Sequence, residues 1–375
     1  MCKQTDQTYF NMPKIGFNCA TIIVTMTKKS NPTGFPKAIA AMGLGMLLPF
    51  PALSLTEPHF PISNSSIICL NAGSTGIDIQ KALDALPAKG GEVILPPGEY
   101  EIRQPIVLKH DNQTLRGSGT LTVLRLADDA NCPVVIMGQP VNNPTKTVTH
   151  LRVADLLVDG NRRNQQRELW RLQGEGSDIR NNGITVQRVS DSIVENVSCA
   201  SCSSGGLVTT LGVKRLKVQG LTAFDNRFDG LACYATTHSI FSELNLHDNP
   251  GAGISLDLAF NHNVISNAVL QANNLGIFMR ASHDNKFHNV TIRKSGHYGV
   301  FMAQAEDFSA GRLQPAPESE CTQNAFTNLI AENCGSAAFR VNNSNCTNNI
   351  IIRPKFDGNR MGNISLAGPN LVTVQ

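Results

Sequence analysis

In the second half of the chain a Gly followed by an apolar residue recurs at nearly constant spacing. The pairs are Gly183-Ile184, Gly206-Leu207, Gly230-Leu231, Gly253-Ile254, Gly276-Ile277 and Gly299-Val300, at intervals of 23, 24, 23, 23 and 23. Ala338-Phe339 follows 39 residues later, as one unit plus an insertion. A fixed period in this range marks a solenoid. Positions one and three after the Gly are mostly apolar, as in Ile184/Val186, Leu231/Cys233, Ile254/Leu256, Ile277/Met279 and Val300/Met302. That alternation predicts a strand with one face inward. A second apolar pair precedes the next Gly by nine and seven: Val197/Cys199, Leu221/Ala223, Leu244/Leu246 and Val290/Ile292, with Asn267 out of pattern in one unit. A third short run lies between them, as in Ile193-Val194, Val264-Ile265 and Phe287.

Three short strands per unit, divided by turns rich in Asn, Asp and Gly, predict an all-β, right-handed parallel β-helix solenoid of about 23 residues per coil. A helical repeat would show a 3.6-residue stripe, and a leucine-rich repeat would need more Leu. Coils stack about 4.8 Å apart, so equivalent residues become neighbours. Turn residues such as Asn196 and Asn289 are then expected to hydrogen-bond along the axis. Cys199 and Cys233 fall at inward positions, where Cys acts as a small apolar residue. Cys199-x-x-Cys202 has no second such pair and reads as part of the repeat.

The N-terminal part differs. Ile77–Leu86 (IDIQKALDAL) predicts a short amphipathic helix that caps the solenoid, followed by two strands around a Pro-Pro-Gly turn. Thr149–Asn161 begins the regular coils. Further upstream, Ala38–Phe50 is a 13-residue apolar run preceded by Lys28, Lys29 and Lys37 and followed by Ala52-Leu53-Ser54. It is too short to span a bilayer comfortably and has the layout of a secretory signal peptide. The expected organisation is therefore an N-terminal extension and signal peptide (1–54), a cap with the first coils (55–148), and a regular β-helix (149–375) with insertions at 162–182 and 304–323. The expected location is secreted or periplasmic, without a stable membrane span.

Composition sharpens this only slightly. The 375 residues carry 32 Lys+Arg against 29 Asp+Glu, and 41% are hydrophobic, enough for a sizeable core. Without residues 1–54 the balance is 27 basic to 28 acidic, which removes the electrostatic case for nucleic acid. Eight Cys lie beyond residue 55, and an exported protein can pair some of them.

Asp78-Ile79-Gln80-Lys81-Ala82-Leu83, Gly90 to Tyr100 (GGEVILPPGEY), Leu115-Arg116-Gly117-Ser118-Gly119 and Val158-Asp159-Gly160-Asn161 resemble the pectate-lyase-like (pectin lyase fold) superfamily. The resemblance spans roughly residues 70–365. It implies the parallel β-helix and leaves the reaction open, because members include pectate and alginate lyases, mannuronan epimerases, polygalacturonase-type hydrolases, phage depolymerases and proteins of no known activity. The hydrolases' set of Asn-Thr-Asp, Asp-Asp and Gly-His-Gly on adjacent coils is absent. So is the epimerases' Asp-Pro-His-Asp; Leu246-His247-Asp248-Asn249 is a different string.

In that superfamily the groove usually lies on the strand after the Gly. Position four there should face outward, and the column reads Gln187, Thr210, Tyr234, Asp257, Arg280, Ala303. A phenol, a carboxylate and a guanidinium on adjacent strands suit β-elimination or C5 epimerisation of a uronate. Arg280 can bind the sugar carboxylate in a fork. His283 is the candidate base and Tyr234 the candidate acid. Asp257 can orient the pair or help hold Ca²⁺, a possible cofactor; no resident metal is assigned. Ser255, His262, His297 and Lys294 are candidate substrate contacts, with Trp170, in the Arg-rich first insertion, as a sugar-stacking ring. A surface ion pair between Asp257 and Arg280 explains the same residues without function. The expected function is a polysaccharide lyase or C5-epimerase. A non-catalytic polysaccharide-binding β-helix, or a glycoside hydrolase using Asp257 and Asp229, are the alternatives. Paired Asp225-Asn226 and Asp248-Asn249 suit a turn as well as a cation.

Overall fold

The computed structural model describes residues 66–166, 179–305 and 319–375; Trp170 and the signal-like segment lie outside them. The chain winds into about 12 turns of roughly 24 residues, with almost no helix. One parallel sheet carries the strand that follows each repeated Gly. Among the described residues it has 10 strands, among them Ile106–Leu108, Val135–Met137, Ile184–Gln187, Leu207–Thr210, Leu231–Tyr234, Ala252–Asp257, Leu275–Arg280 and Val300–Ala303. The other two runs of each coil form the 19-stranded sheet. Ile184 pairs with Leu207, Leu207 with Leu231, Leu231 with Ile254, Ile254 with Ile277, Ile277 with Val300 and Val300 with Phe339, which is the column read from the repeat. Among the described residues no helix is long and apolar enough to cross a membrane.

The repeated Gly has a steric cause. A Cβ at Gly276 would stand 2.4 Å from the carbonyl oxygen of Gly299, and one at Gly299 the same distance from that of Ala338. Stacked coils leave no room for a side chain at that corner. The inward residues Ile184, Val186, Leu231, Cys233, Ile254, Leu256, Ile277, Met279, Val300 and Met302 are fully buried. They form one continuous core with Val194, Ile265 and Phe287 from the third run.

Asn267 proves to be a turn residue. The second and third runs join as single strands, Ile240–His247, Val264–Gln271 and Lys286–Arg293, each bent at a left-handed residue: Glu243, Asn267 and Asn289. Leu244 therefore pairs with Ala268 and Leu246 with Leu270, so the inward pair of that coil is Ala268/Leu270. The exposed asparagines bond along the axis as expected: Asn289 Nδ2 donates to Asn267 Oδ1 (3.0 Å), Asn328 Nδ2 to Asn289 Oδ1 (2.9 Å), and Asn196 Nδ2 to Asp155 Oδ1 (3.0 Å).

Two further amide ladders are buried, one at each edge of the Gly-following sheet. Asn226, Asn249 and Asn273 stack before the strands, and Asn263, Asn285, Asn324 and Asn349 after them. Each side-chain oxygen takes a backbone N–H from the coil before, as in Asn226 N to Asn249 Oδ1 (3.1 Å). Asp225 and Asp248, by contrast, face outward as turn residues: Asp225 pairs with Arg162 (2.8 Å) and Asp248 with His247 (2.7 Å).

At the N-terminal end, the helix Gly76–Asp84 begins at Thr75 with a reciprocal Thr75/Asp78 cap and buries Ile79, Ala82 and Leu83 against the first coil. Stacking already starts there, since Ser66–Cys69 pairs with Gly91–Ile94, and that strand with Gln113–Arg116. These first coils differ in length, which hides them from a fixed period. All eight described Cys are unpaired, so no disulfide forms among them. Burial pushes the Cys199 and Cys233 thiols up to about 12. Cys202 takes a place in the first buried ladder, its N–H donating to Asn226 Oδ1 (3.0 Å).

Candidate active site

The parallel register brings Tyr234, Asp257 and Arg280 onto neighbouring strands. Tyr234 pairs with Asp257. Arg280 donates to Asp257 Oδ2 through Nε (3.0 Å) and through Nη2. The Leu258 N–H donates to Asp257 Oδ1 (2.9 Å), so both carboxylate oxygens are engaged. The Asp257 side chain is 3% exposed and that of Arg280 27%. Burial raises the Asp257 carboxyl above its ordinary value, opposed by Arg280. The guanidinium also lies over the Phe278 ring, 5.1 Å from its centroid.

Two residues join this row. Asp229 sits just before the strand Leu231–Tyr234 and accepts from the Ala252 N–H (2.7 Å). Burial pushes its carboxyl up to about 6, opposed by that bond and by Arg180. Arg180 belongs to the foot of the first insertion. The Tyr234 phenol is raised well above its ordinary value, first by burial, then by Asp229 and Asp257, with Arg180 and Arg280 opposing. Asp229 and Tyr234 keep some solvent-accessible area, yet protein surrounds them on most sides. One phenol thus lies in the field of two carboxylates and two guanidinium groups. Asp229 was foreseen only as half of a hydrolase pair.

Oxygen-rich coordination is what Ca²⁺ demands. In this row Asp257 is saturated by protein donors and two guanidinium groups stand close by, so its residues do not fit that ion. The other outward column, two after each Gly, runs beside this row. Thr185, Val208, Ala232 and Ser255 are buried in it. Farther along, Phe278 and Phe301 stack with centroids 5.8 Å apart and planes 4° apart, with Tyr298 tilted against Phe301 at 5.4 Å. This aromatic platform was missed, although position two of successive units reads Phe278, Phe301. Toward the other end, a cavity of about 740 Å³ is lined by Val107, Ile136, Val141 and Ile179. Val107 and Ile136 occupy the same outward column as Thr185.

His238, His262 and His283 stand one above another in the turn after these strands. Ring centroids are 5.2 Å apart for the first pair and 5.4 Å for the second. His283 Nδ1 lies 2.8 Å from Asp284 Oδ2. No hydrogen bond or ion pair joins His283 to Tyr234 or Asp257. Lys294 and His297 are exposed in the turn leading into Val300–Ala303, at the opposite margin, and neither bonds to the row.

The Asp229 carboxyl makes stability depend on pH. Its folded value, about 6, exceeds its ordinary 3.8, so its favourable contribution is complete below about 3.8 and is lost as pH rises through 6. Asp229→Asn keeps an oxygen for the Ala252 N–H without the charge. It should gain on the wild type between pH 4 and pH 7.5 by about 1–2 kcal/mol, after allowance for partial exposure. Urea unfolding at the two pH values measures this; an equal difference at both would show that the carboxyl is not held up.

The right-handed beta helix region family model matches residues 171–274. No functionally curated protein matches the chain in sequence. Among solved structures, an alginate lyase from Paenibacillus sp. aligns at 11% identity and TM-score 0.55, covering 82% of this chain and 99% of that one. A hyperthermoactive exopolygalacturonase from Thermotoga maritima aligns at 11% and 0.52, covering 85% and 93%. The enzymatically active domain of bacteriophage CBA120 tailspike protein 2 aligns at 13% and 0.61, covering 83% of this chain and 47% of that one. The chain has a right-handed parallel β-helix fold, which it shares with these structures.

Proposed function

We propose that this chain is an exported enzyme, secreted or periplasmic, that acts on an acidic, uronate-bearing polysaccharide as a lyase or C5-epimerase. The observation that carries this reading is the row Tyr234–Asp257–Arg280 on adjacent strands, with Asp229 and Arg180 acting on the phenol. Its fold is also that of the alginate lyase and the exopolygalacturonase above.

The Arg280 guanidinium, held in place by Asp257, binds the sugar carboxylate. Neutralising that carboxylate acidifies the C5 proton. Asp229, mostly ionised at pH 7, takes the proton; a base poised near working pH is the efficient one. The C5–H electron pair forms the C4–C5 double bond as the C4–O4 bond breaks, and Tyr234 protonates O4. In epimerisation Tyr234 instead returns a proton to the opposite face of C5. The raised phenol suits an acid that must hold its proton. Asp229 replaces His283 as the base in this scheme, because Nδ1 of His283 is engaged with Asp284. Ser255 lies in the column beside the row, Phe278 and Phe301 stack on the sugar faces, and His262, Lys294 and His297 border the polymer path.

One observation favours a second reading. A carboxyl held up to about 6 (Asp229) together with one paired to a guanidinium (Asp257) resembles the division of labour of a glycoside hydrolase. The full chain, incubated with alginate and with polygalacturonate, with and without Ca²⁺, separates these. Unsaturated ends seen by ultraviolet absorbance mean a lyase; C5 proton exchange without cleavage means an epimerase. New reducing ends without unsaturation mean the hydrolase. If none appears on any uronate polymer, the catalytic reading fails and a binding β-helix replaces it.

A further inference from the structure

We propose that His262, His283 and Asp284 form a binding site for a borderline divalent transition ion, Zn²⁺ foremost, which clips two successive coils at the turn that follows their Gly-led strands. The site is independent of the polysaccharide reading. Each residue offers one ligand atom, and the three atoms lie within 4.8 Å of one another. His262 comes from one coil, His283 and Asp284 from the next. Backbone bonds hold the two rungs together: His262 N–H donates to the His283 carbonyl (3.2 Å), and His283 N–H to Asn261 Oδ1 (3.0 Å).

Asp284 Oδ2 stands 2.8 Å from His283 Nδ1 and 4.0 Å from His262 Nδ1. A tetrahedral ion with bonds near 2.0–2.1 Å sets its ligand atoms about 3.3 Å apart, between those two distances. Small side-chain rotations therefore suffice. Two imidazoles and one carboxylate suit Zn²⁺, Co²⁺ or Ni²⁺. They do not suit Ca²⁺ or Mg²⁺, which prefer oxygen throughout. Three protein ligands leave a coordination position open to water or to an oxygen of a bound molecule. The side chains are 39% (His262), 14% (His283) and 35% (Asp284) exposed, so an ion can reach them. Turn geometry alone does not require this set. His262 and Asp284 are left-handed residues, a place that Asn or Gly fills equally well.

The full chain is stripped with a chelator, dialysed and titrated with Zn²⁺ by calorimetry, and with Co²⁺ by visible absorption. One ion per chain is expected, with a Co²⁺ spectrum of low-symmetry coordination. His262→Asn and Asp284→Asn, both compatible with the left-handed backbone, and His283→Ala should each weaken binding at least about 100-fold, more than loss of an outer-shell partner. His247→Ala, which removes another His–Asp pair, should leave it unchanged. Circular dichroism melts check folding. Should these variants fail to fold, His283→Cys decides: a Co²⁺–thiolate charge-transfer band supports the site and its absence overturns it. Absence of stoichiometric binding, or equal binding in the folded variants, also overturns it.

Discussion

Arg280→Ala should lower kcat/KM by about 10³-fold on whichever uronate polymer the wild type turns over, the scale of losing a preorganised charge contact. It should also destabilise the fold in a pH-dependent way. Asp257 is buried, and among the described residues Arg280 is the one cation that bonds it. Without Arg280, the Leu258 N–H is the bond to an interior charge that remains among the described residues. Breaking a fully buried pair costs about 3–5 kcal/mol; the partial exposure of Arg280 brings this nearer 2–3. The Asp257 carboxyl is already raised by burial. Removing the opposing guanidinium raises it further, so the variant's deficit is small at low pH, where the carboxyl is neutral, and grows as pH rises through the folded value. Arg280→Lys keeps the charge without the fork. It should recover most of the stability and little of the activity. Melting at pH 5 and 8 alongside the assay tests both. A pH-independent deficit would reduce the pair to a surface contact, and activity within tenfold of wild type would remove Arg280 from the reaction.

The repeat was legible because it has a steric origin that only a few residue types satisfy. Gly at the corner avoids the carbonyl of the next coil, and inward positions one and three must be apolar; both constraints appear in one sequence without alignment. Arithmetic on that repeat then placed Tyr234 beside Asp257 and Asp257 beside Arg280. It failed where spacing varies. The first coils, with Val135 paired to both Ile106 and Ile184, carry insertions that break the period. Asn267 looked like a defect because the coil before it is one residue longer between Leu244 and Ala268 and the coil after it one shorter, from Ala268 to Val290. Asp229 and Arg180 were harder still. They lie outside the strand, and their approach to Tyr234 depends on how a turn and an insertion fold back. Phe278 and Phe301 are legible as successive members of the position-two column, where rings on adjacent coils stack.

The buried amide ladders make the second large prediction. Asn249 accepts at Oδ1 from the Asn226 backbone N–H and side-chain Nδ2, both at 3.1 Å. Its own Nδ2 donates to the Ala223 carbonyl (3.1 Å) and to Asn273 Oδ1 (2.9 Å). The residue is 1% exposed, so water cannot replace these bonds. Asn249→Ala leaves several interior polar groups unsatisfied at about 1–3 kcal/mol each. A loss of about 3–6 kcal/mol follows, a large part of a typical 5–15 kcal/mol. Asn249→Asp should fare no better, since a carboxylate cannot donate to the Ala223 carbonyl and faces another oxygen at Asn273. In the exposed ladder water does replace the amide, so Asn289→Gly, which keeps the left-handed backbone open, should cost about 1 kcal/mol or less. Urea midpoints compare the three variants. Because coils contact only their neighbours, the damage should open the coils around Asn249 first, as seen by amide exchange. Those coils carry Asp229, Tyr234 and Asp257, so the ladder holds the candidate row in register. An Asn249→Ala protein no less stable than Asn289→Gly would make the buried ladder a passive filler and remove that link.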